Sequence, residues 1–206
     1  MQEKDKNSTL PESLMDVIKI RRSYRKYTDD EIPNDKIDYL KNVVLEGASA
    51  FGFESPHFIF VTKPDVKKRL KKGIFSGLMG KVNPWILRTK AFGFVVVCGY
   101  PDKSQKVDDK YLYISECAFL TELMILAAAE VGIATCWIGG FGEDGIKKAL
   151  SISDDARVVA VTPLGYPPKK IRVATWDYMA RNLVSKRRVP IEKIVTMVRD
   201  FGATIK

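Results

Sequence analysis

A chain of 206 residues, 46% of them hydrophobic, carries enough apolar material for one sizeable core, which excludes a disordered chain. Its formal net charge of +9 favours acidic partners: nucleotide phosphates, nucleic acid or an anionic surface. Cys98, Cys117 and Cys136 are odd in number and widely spaced, each in an apolar stretch, so they read as reduced, buried thiols rather than a disulfide framework.

The polar start, residues 1–9, reads as a flexible N-terminus with no secretory signal, and with the reduced cysteines it points to the cytoplasm. From Pro11 to Arg21, Leu14, Met15, Val17 and Ile18 fall at helical spacing, with Ser8 or Thr9 as the cap. A second helix is expected over Asn34 to Gly47, where Ile37, Leu40, Val43 and Val44 share a face. The aromatic and β-branched run Phe58 to Thr62 predicts a strand, and Pro64 to Lys72 a helix. Lys67, Lys68, Arg69, Lys71 and Lys72 on that helix read as a solvated face. The region Phe75 to Arg88 carries no assignable pattern.

Phe92 to Cys98 is continuously apolar and predicts a buried strand. Tyr111 to Val131 is the longest helix signal, stopped by Gly132. Glu122 and Glu130 mark it as a core helix rather than a membrane span. A short helix over Gly142 to Leu150, a buried strand over Arg157 to Pro163 and a final helix over Ile191 to Arg199 complete the series. Helices alternating with few strands imply an α+β fold, with helices layered around a small sheet in a single domain spanning 1–206.

Four segments carry chemical signals. Arg21-Arg22-Ser23-Tyr24-Arg25 packs three guanidiniums and a hydroxyl into five residues. Guanidinium forks match phosphate or carboxylate oxygens, although cations also suit a helix C-terminus without any ligand. Residues 132–141, Gly-Ile-Ala-Thr-Cys-Trp-Ile-Gly-Gly-Phe, let the backbone approach a planar heterocycle, or simply form a tight loop after a helix. Residues 48–57 follow a helix with small residues and with Phe51 and Phe53. Lys186-Arg187-Arg188 precedes Pro190 and would complete a phosphate cradle if it met the first arginine run. His57 is the only histidine, so a zinc site or a Ser-His-Asp triad has no support. A Walker loop and Gly-x-Gly-x-x-Gly are both missing, which disfavours a Rossmann nucleotide fold, and no nucleic-acid motif accompanies the charge.

These pieces, in this order, resemble the nitroreductase-like FMN-dependent oxidoreductases over about Asp16 to Val195. The resemblance rests on Arg21, Arg22, Ser23 and Arg25, on the glycine-rich segment 132–141, on Leu164-Gly165-Tyr166-Pro167, and on Lys186 and Arg188. It implies a mainly antiparallel sheet flanked by helices and a homodimer built on the long central helix. FMN would be the cofactor, held by Arg21, Arg22, Ser23 and Arg25 through phosphate, ribityl chain and pyrimidine edge. Lys186 and Arg188 would clamp the phosphate, and the N–H groups of Gly139 and Gly140 would face the N5 and O4 edge. NAD(P)H and a small electron-poor acceptor, a nitroaromatic or quinone, would be the reactants, with no nucleic acid and no membrane involved.

One departure stands out. Where the family commonly has Ser-x-x-Asn-x-Gln-Pro-Trp-His-Phe, this chain has Ser49, then Gly52 for Asn, Glu54 for Gln, Ser55 for Pro and Pro56 for Trp, then His57-Phe58. That substitution keeps open a second reading, a non-catalytic binder of a flavin or another phosphate-bearing ligand. Phe51, Phe53 and Trp137 are candidates for the acceptor pocket or for plain core packing.

Overall fold

The apolar run expected to form a buried strand is the middle of the protein. In the computed structural model, which describes residue 11 and residues 13–168, it spans Gly93–Gly99 and every residue of it is buried. The chain divides into two units, residues 1–168 and 169–206, and all described residues belong to the first. The helix expected over 191–199, together with Lys186 and Arg188, lies outside the described residues.

In chain order the elements are α1 (Leu14–Ile20), α2 (Asn34–Phe51), β1 (Pro56–Val61), α3 (Pro64–Phe75), α4 (Gly77–Gly80) and β2 (Gly93–Gly99). They continue as β3 (Lys106–Val107), β4 (Lys110–Tyr111), α5 (Leu112–Glu130), β5 (Ala134–Thr135), α6 (Glu143–Leu150) and β6 (Arg157–Gly165). Four strands form one sheet in the order β1-β2-β6-β5, all neighbours antiparallel. Ile59 sits opposite Val96, and Val96 opposite Val161.

Because side chains alternate along a strand, β2 feeds two cores at once. Phe94, Val96 and Cys98 enter one cluster with Leu70 and Ile74 of α3 and Ile146 of α6. Val95 and Val97 enter the other with Leu40 and Val44 of α2 and Leu120, Met124 and Ile125 of α5. Helices on both faces are why the strand reads as uninterrupted apolar sequence. The expected α+β arrangement of helices around a small antiparallel sheet is what forms.

The helices differ from expectation at their ends, each for a local reason. α1 begins at Leu14, and its cap is Ser13, whose Oγ accepts the Asp16 N–H at 3.2 Å. Ser8 and Thr9 lie outside the described residues. α2 runs past Gly47 to Phe51, because Gly47 is buried against Leu120 and Leu123 of α5 and the left-handed turn comes only at Gly52 (φ 66°). Gly132 (φ 77°) follows α5 as expected, and the Ile133 N–H returns to Ala128 O at 2.7 Å. α5 is long and apolar enough to cross a membrane by length and composition, yet its Cys117, Leu120, Met124 and Ala128 lie in the core.

The basic run on α3 is not simply solvated. Lys67 Nζ donates to Phe92 O at 2.5 Å and Lys71 Nζ to Thr89 O at 2.6 Å, tying the helix to the loop that enters β2. Partial burial lowers both ammonium pKa values. The three cysteines are free and buried, as expected.

α3 and α6 cross very closely through facing glycines. A Cβ on Gly73 would lie 2.5 Å from Gly145 O, and one on Gly145 would lie 2.7 Å from Gly73 O. This contact fixes where the chain emerges at each helix end: the segment after α3 and the loop before α6. Gly142 N–H donates to Ile74 O at 3.0 Å, closing that corner.

Candidate functional site

The arginine run begins where α1 stops. Arg21 caps that helix, its N–H donating to Val17 O at 2.9 Å. The next residues run along the sheet's edge. Ser23 forms a parallel bridge with Thr135 of β5, and Tyr24 N–H donates to Thr135 O at 2.8 Å. Tyr27 then packs on Gly165, where an added Cβ would meet its ring at 2.8 Å, and Thr28 N–H donates to Tyr166 O at 2.9 Å. Three of the four motifs on which the resemblance rests therefore meet: the arginine run, the start of the glycine-rich stretch and the Gly-Tyr-Pro exit of β6.

Their meeting leaves a cleft of about 110 Å³ lined by Arg21, Arg22, Tyr24, Gly132, Thr135 and Pro167, among others. The arginines do different things there. Arg22 is exposed, and its Nη1 donates to Lys19 O at 2.5 Å and Arg21 O at 2.7 Å. It thus neutralises the carbonyl end of α1, the ligand-free role open to a cation at a helix C-terminus. Arg21 is half-buried, with Nη2 3.5 Å from Glu122 Oε2 of α5. Its Nε is buried and has no hydrogen-bond partner among the described residues. A buried guanidinium donor without an acceptor is costly, and an anionic oxygen in the cleft would satisfy it. Arg25 is half-buried, and its charge reaches Tyr27. Burial raises the Tyr27 phenol pKa well above its ordinary value, and the hydroxyl donates to Tyr24 O at 2.6 Å.

Beyond Thr135 the chain crosses the sheet end, where Ile138 exchanges two hydrogen bonds with Val161. It then opens into Gly139 and Gly140. Neither glycine N–H has a partner among the described residues, and a side chain at Gly139 would meet nothing closer than Trp137 Nε1 at 3.8 Å. Gly140 is different. Its carbonyl accepts from Asn83 Nδ2 at 2.8 Å, and a Cβ there would meet Val82 Cγ2 at 2.9 Å. The neighbours come from the segment that showed no sequence pattern: α4, then a 3-10 turn over Pro84–Arg88. Asn83-Pro84 is a turn signal, but its partner is 57 residues away and no local rule reveals it.

The segment that departs from the family pattern is also defined. Glu54 is exposed. Ser55 is fully buried, and its hydroxyl donates to Glu116 of α5, which also accepts from Ser104 at 2.6 Å. Phe51 and Phe53 stack at 5.3 Å, and Phe119 of α5 joins them at 6.4 and 6.2 Å. Phe51 and Phe119 are more than half exposed. His57 lies exposed on β1 and edges against Tyr100. No cluster of three or more His, Cys, Asp or Glu suited to a metal occurs among the described residues.

Comparison with known proteins agrees with this fold. The sequence model of the Nitroreductase family matches residues 18–166. A Methanothermobacter thermautotrophicus protein named "Putative NADH dehydrogenase/NAD(P)H nitroreductase" is 29% identical over 185 residues, covering 87% of each chain. The crystal structure of a nitroreductase family protein from Clostridium novyi NT superposes with a TM-score of 0.68 at 30% identity, covering 76% of this chain and 86% of that one. A nitroreductase with bound FMN from Bacteroides fragilis gives a TM-score of 0.66 at 21% identity, covering 92% and 100%.

Proposed function

Since this chain belongs to the Nitroreductase family, we propose that it is an FMN-dependent oxidoreductase that passes reducing equivalents from NAD(P)H to an electron-poor acceptor such as a nitroaromatic or quinone. The observation that carries the reading is the buried Nε of Arg21, without a hydrogen-bond partner among the described residues, in a cleft beside the start of the glycine-rich stretch. The residues present fit a flavin mononucleotide: a guanidinium donor in search of an anionic acceptor, and two glycine N–H groups open to a heterocycle edge. FMN, when bound, supplies the redox chemistry, and the protein supplies position and charge.

In this reading Arg21, Ser23 and Arg25 bind the phosphate, ribityl chain and pyrimidine edge, with Arg22 at the rim. Lys186 and Arg188, which lie outside the described residues, are assigned to the phosphate by the family resemblance alone. Gly139 and Gly140 donate to the N5 and O4 edge. Arginine charge beside the ring stabilises the negative charge of a reduced flavin, most strongly where water is excluded. No side chain has to act as an acid or base.

The enzyme works as a homodimer in the cytoplasm. The cleft in one chain is smaller than the roughly 300–1,000 Å³ of a complete small-ligand pocket. α5 is apolar on both faces, and Phe119 and Ile114 on it remain exposed. A helix that is apolar all round belongs in an interior, which a second copy would provide.

The test is the absorbance spectrum of the purified protein before and after FMN addition and desalting. Visible flavin bands that stay with the wild type and are lost in Arg21→Ala support the cradle; unchanged retention in that variant sinks it. The second reading, a binder without turnover, is motivated by Gly52 and Glu54 replacing the family's Asn and Gln. Steady-state NADPH oxidation with menadione, dependent on FMN, eliminates it.

A further inference from the structure

The glycine pair has a strut behind it. Asn83 Nδ2 donates to Gly140 O at 2.8 Å, and its Oδ1 accepts from Trp85 Nε1 at 3.2 Å. A carbonyl on one side and an indole N–H on the other fix which way round the amide lies. Trp85 is part-buried against the α3/α6 core, so the strut is anchored to packed structure rather than to loop. The contact is also tight: Val82 Cγ2 and Met79 O fill the space where a side chain on residue 140 would begin, at 2.9 and 3.3 Å.

This arrangement restricts an otherwise permissive stretch. Two consecutive glycines have more backbone freedom than any other pair, so a free loop would sample many orientations of their N–H groups. The Gly140 carbonyl is tied by Asn83. Two residues on, Gly142 N–H is tied to Ile74 O at 3.0 Å, and on the other side Ile138 is tied to Val161. The loop is therefore held at three points, while the N–H groups of Gly139 and Gly140 stay unused among the described residues.

We infer that Asn83 is a positioning residue: by holding the Gly140 carbonyl it limits rotation at Gly140 and preorganises the Gly140 N–H for the heteroatom edge of the bound ring, while Val161, whose N–H donates to Ile138 O at 3.1 Å, holds the peptide that carries the Gly139 N–H. This rests on the flavin reading given above. The side chain touches neither ring nor acceptor; it sets donor geometry before binding, so no loop ordering is required at that moment. The same contact couples the Ser76–Arg88 segment to the electronics of the site, since a donor at O4 favours the electron-rich reduced ring whereas N5 accepts a hydrogen bond only while the ring is oxidised.

Two measurements on Asn83→Ala and the near-isosteric Asn83→Asp test this. The first is ¹⁵N relaxation on flavin-free protein. The order parameter of the Gly140 N–H is expected near 0.85 in the wild type and below about 0.6 in both variants, with Gly139, whose peptide Val161 holds, and β2 unchanged as controls. The second uses flavin-loaded protein. FMN affinity should fall about three- to tenfold, and the reduction potential of retained FMN should shift, because the donor geometry at the N5 and O4 edge changes. Trp85→Phe, which keeps an aromatic ring but removes the indole donor, should give a smaller change in the same direction. Unchanged order parameters with an unchanged potential overturn the proposal. A wild type that binds no FMN overturns the flavin reading instead, and the relaxation data then decide the strut on their own.

Discussion

Gly73 offers a contest between two opposing effects. In the interior of a 12-residue helix, replacing glycine by alanine should stabilise by about 1 kcal/mol through backbone entropy alone. The structure opposes this. An alanine Cβ would lie 2.5 Å from Gly145 O, 2.7 Å from Gly145 C and 3.0 Å from Ile146 N, all backbone atoms of α6. Backbone cannot rotate out of the way, so the two helices must separate, and overpacking of this kind costs about 3 kcal/mol. The net for Gly73→Ala is a loss of about 2 kcal/mol, which for a domain of this size lowers Tm by about 4–8 °C. Gly47→Ala in α2 is the matched control. Its new Cβ would meet only Leu123 Cδ1 and Leu120 Cδ2, the mobile ends of two side chains, at 2.9 and 3.0 Å. That variant should be neutral or slightly stabilised. Paired thermal melts by circular dichroism decide the matter. Gly73→Ala as stable as wild type, or Gly47→Ala equally damaged, would refute the backbone-contact reasoning.

Glu143 accepts from Arg157 Nε at 2.9 Å and Nη2 at 3.0 Å and from the Val158 N–H at 3.0 Å, and the Arg157 bonds hold its carboxyl below the ordinary glutamate value. A depressed folded-state pKa adds stability above the unfolded pKa and loses it as pH falls through the folded one. Urea titrations should show Glu143→Gln about 1–2 kcal/mol less stable than wild type at pH 7, with the gap closing in acid; a gap independent of pH contradicts this. Burial pushes the Cys98 thiol up to about 11 and the Cys117 thiol up to about 12. Neither should be alkylated by iodoacetamide at pH 8 in native protein, whereas both should label in urea; peptide mass spectrometry reads the result, and native labelling at either site argues against the packing described. Ser55→Ala removes a buried donor to Glu116 and should lower stability by about 1–2 kcal/mol, measured by the same melts; no change would mean that water replaces the hydroxyl at little cost.

The parts of the fold legible in the sequence are those whose information is local. β2 and β6 announce themselves because both faces of the sheet are covered, and α5 because Gly132 stops it in a left-handed turn. The parts that were not legible depend on distant partners. β5 is two residues long and exists because Leu164 and Gly165 lie beside it. The Ser76–Arg88 segment has no period, since α4 is a single turn packed by its glycines rather than by an apolar stripe. Lys67 and Lys71 look like surface charge until the loop carbonyls they bind are in place. At the site, the clustering of Arg21 to Arg25 was legible as composition, but its division of labour was not: Arg22 closes a helix, while Arg21 keeps a buried donor free.

The sheet order also has a consequence during synthesis. β2 pairs with β1 before it and with β6 after it, and β6 begins only at Arg157, nearly sixty residues beyond Gly99. At translation rates of about 5–20 residues per second, the most apolar strand waits several seconds with one edge bare. α5 emerges within that interval and can shelter Val95 and Val97, but it offers no ladder partners. The growing chain thus passes through a stage in which an unpaired, fully apolar strand is its most adhesive surface. That stage, rather than the finished molecule, is where chaperones would find their substrate and where overexpression would divert the chain into aggregates.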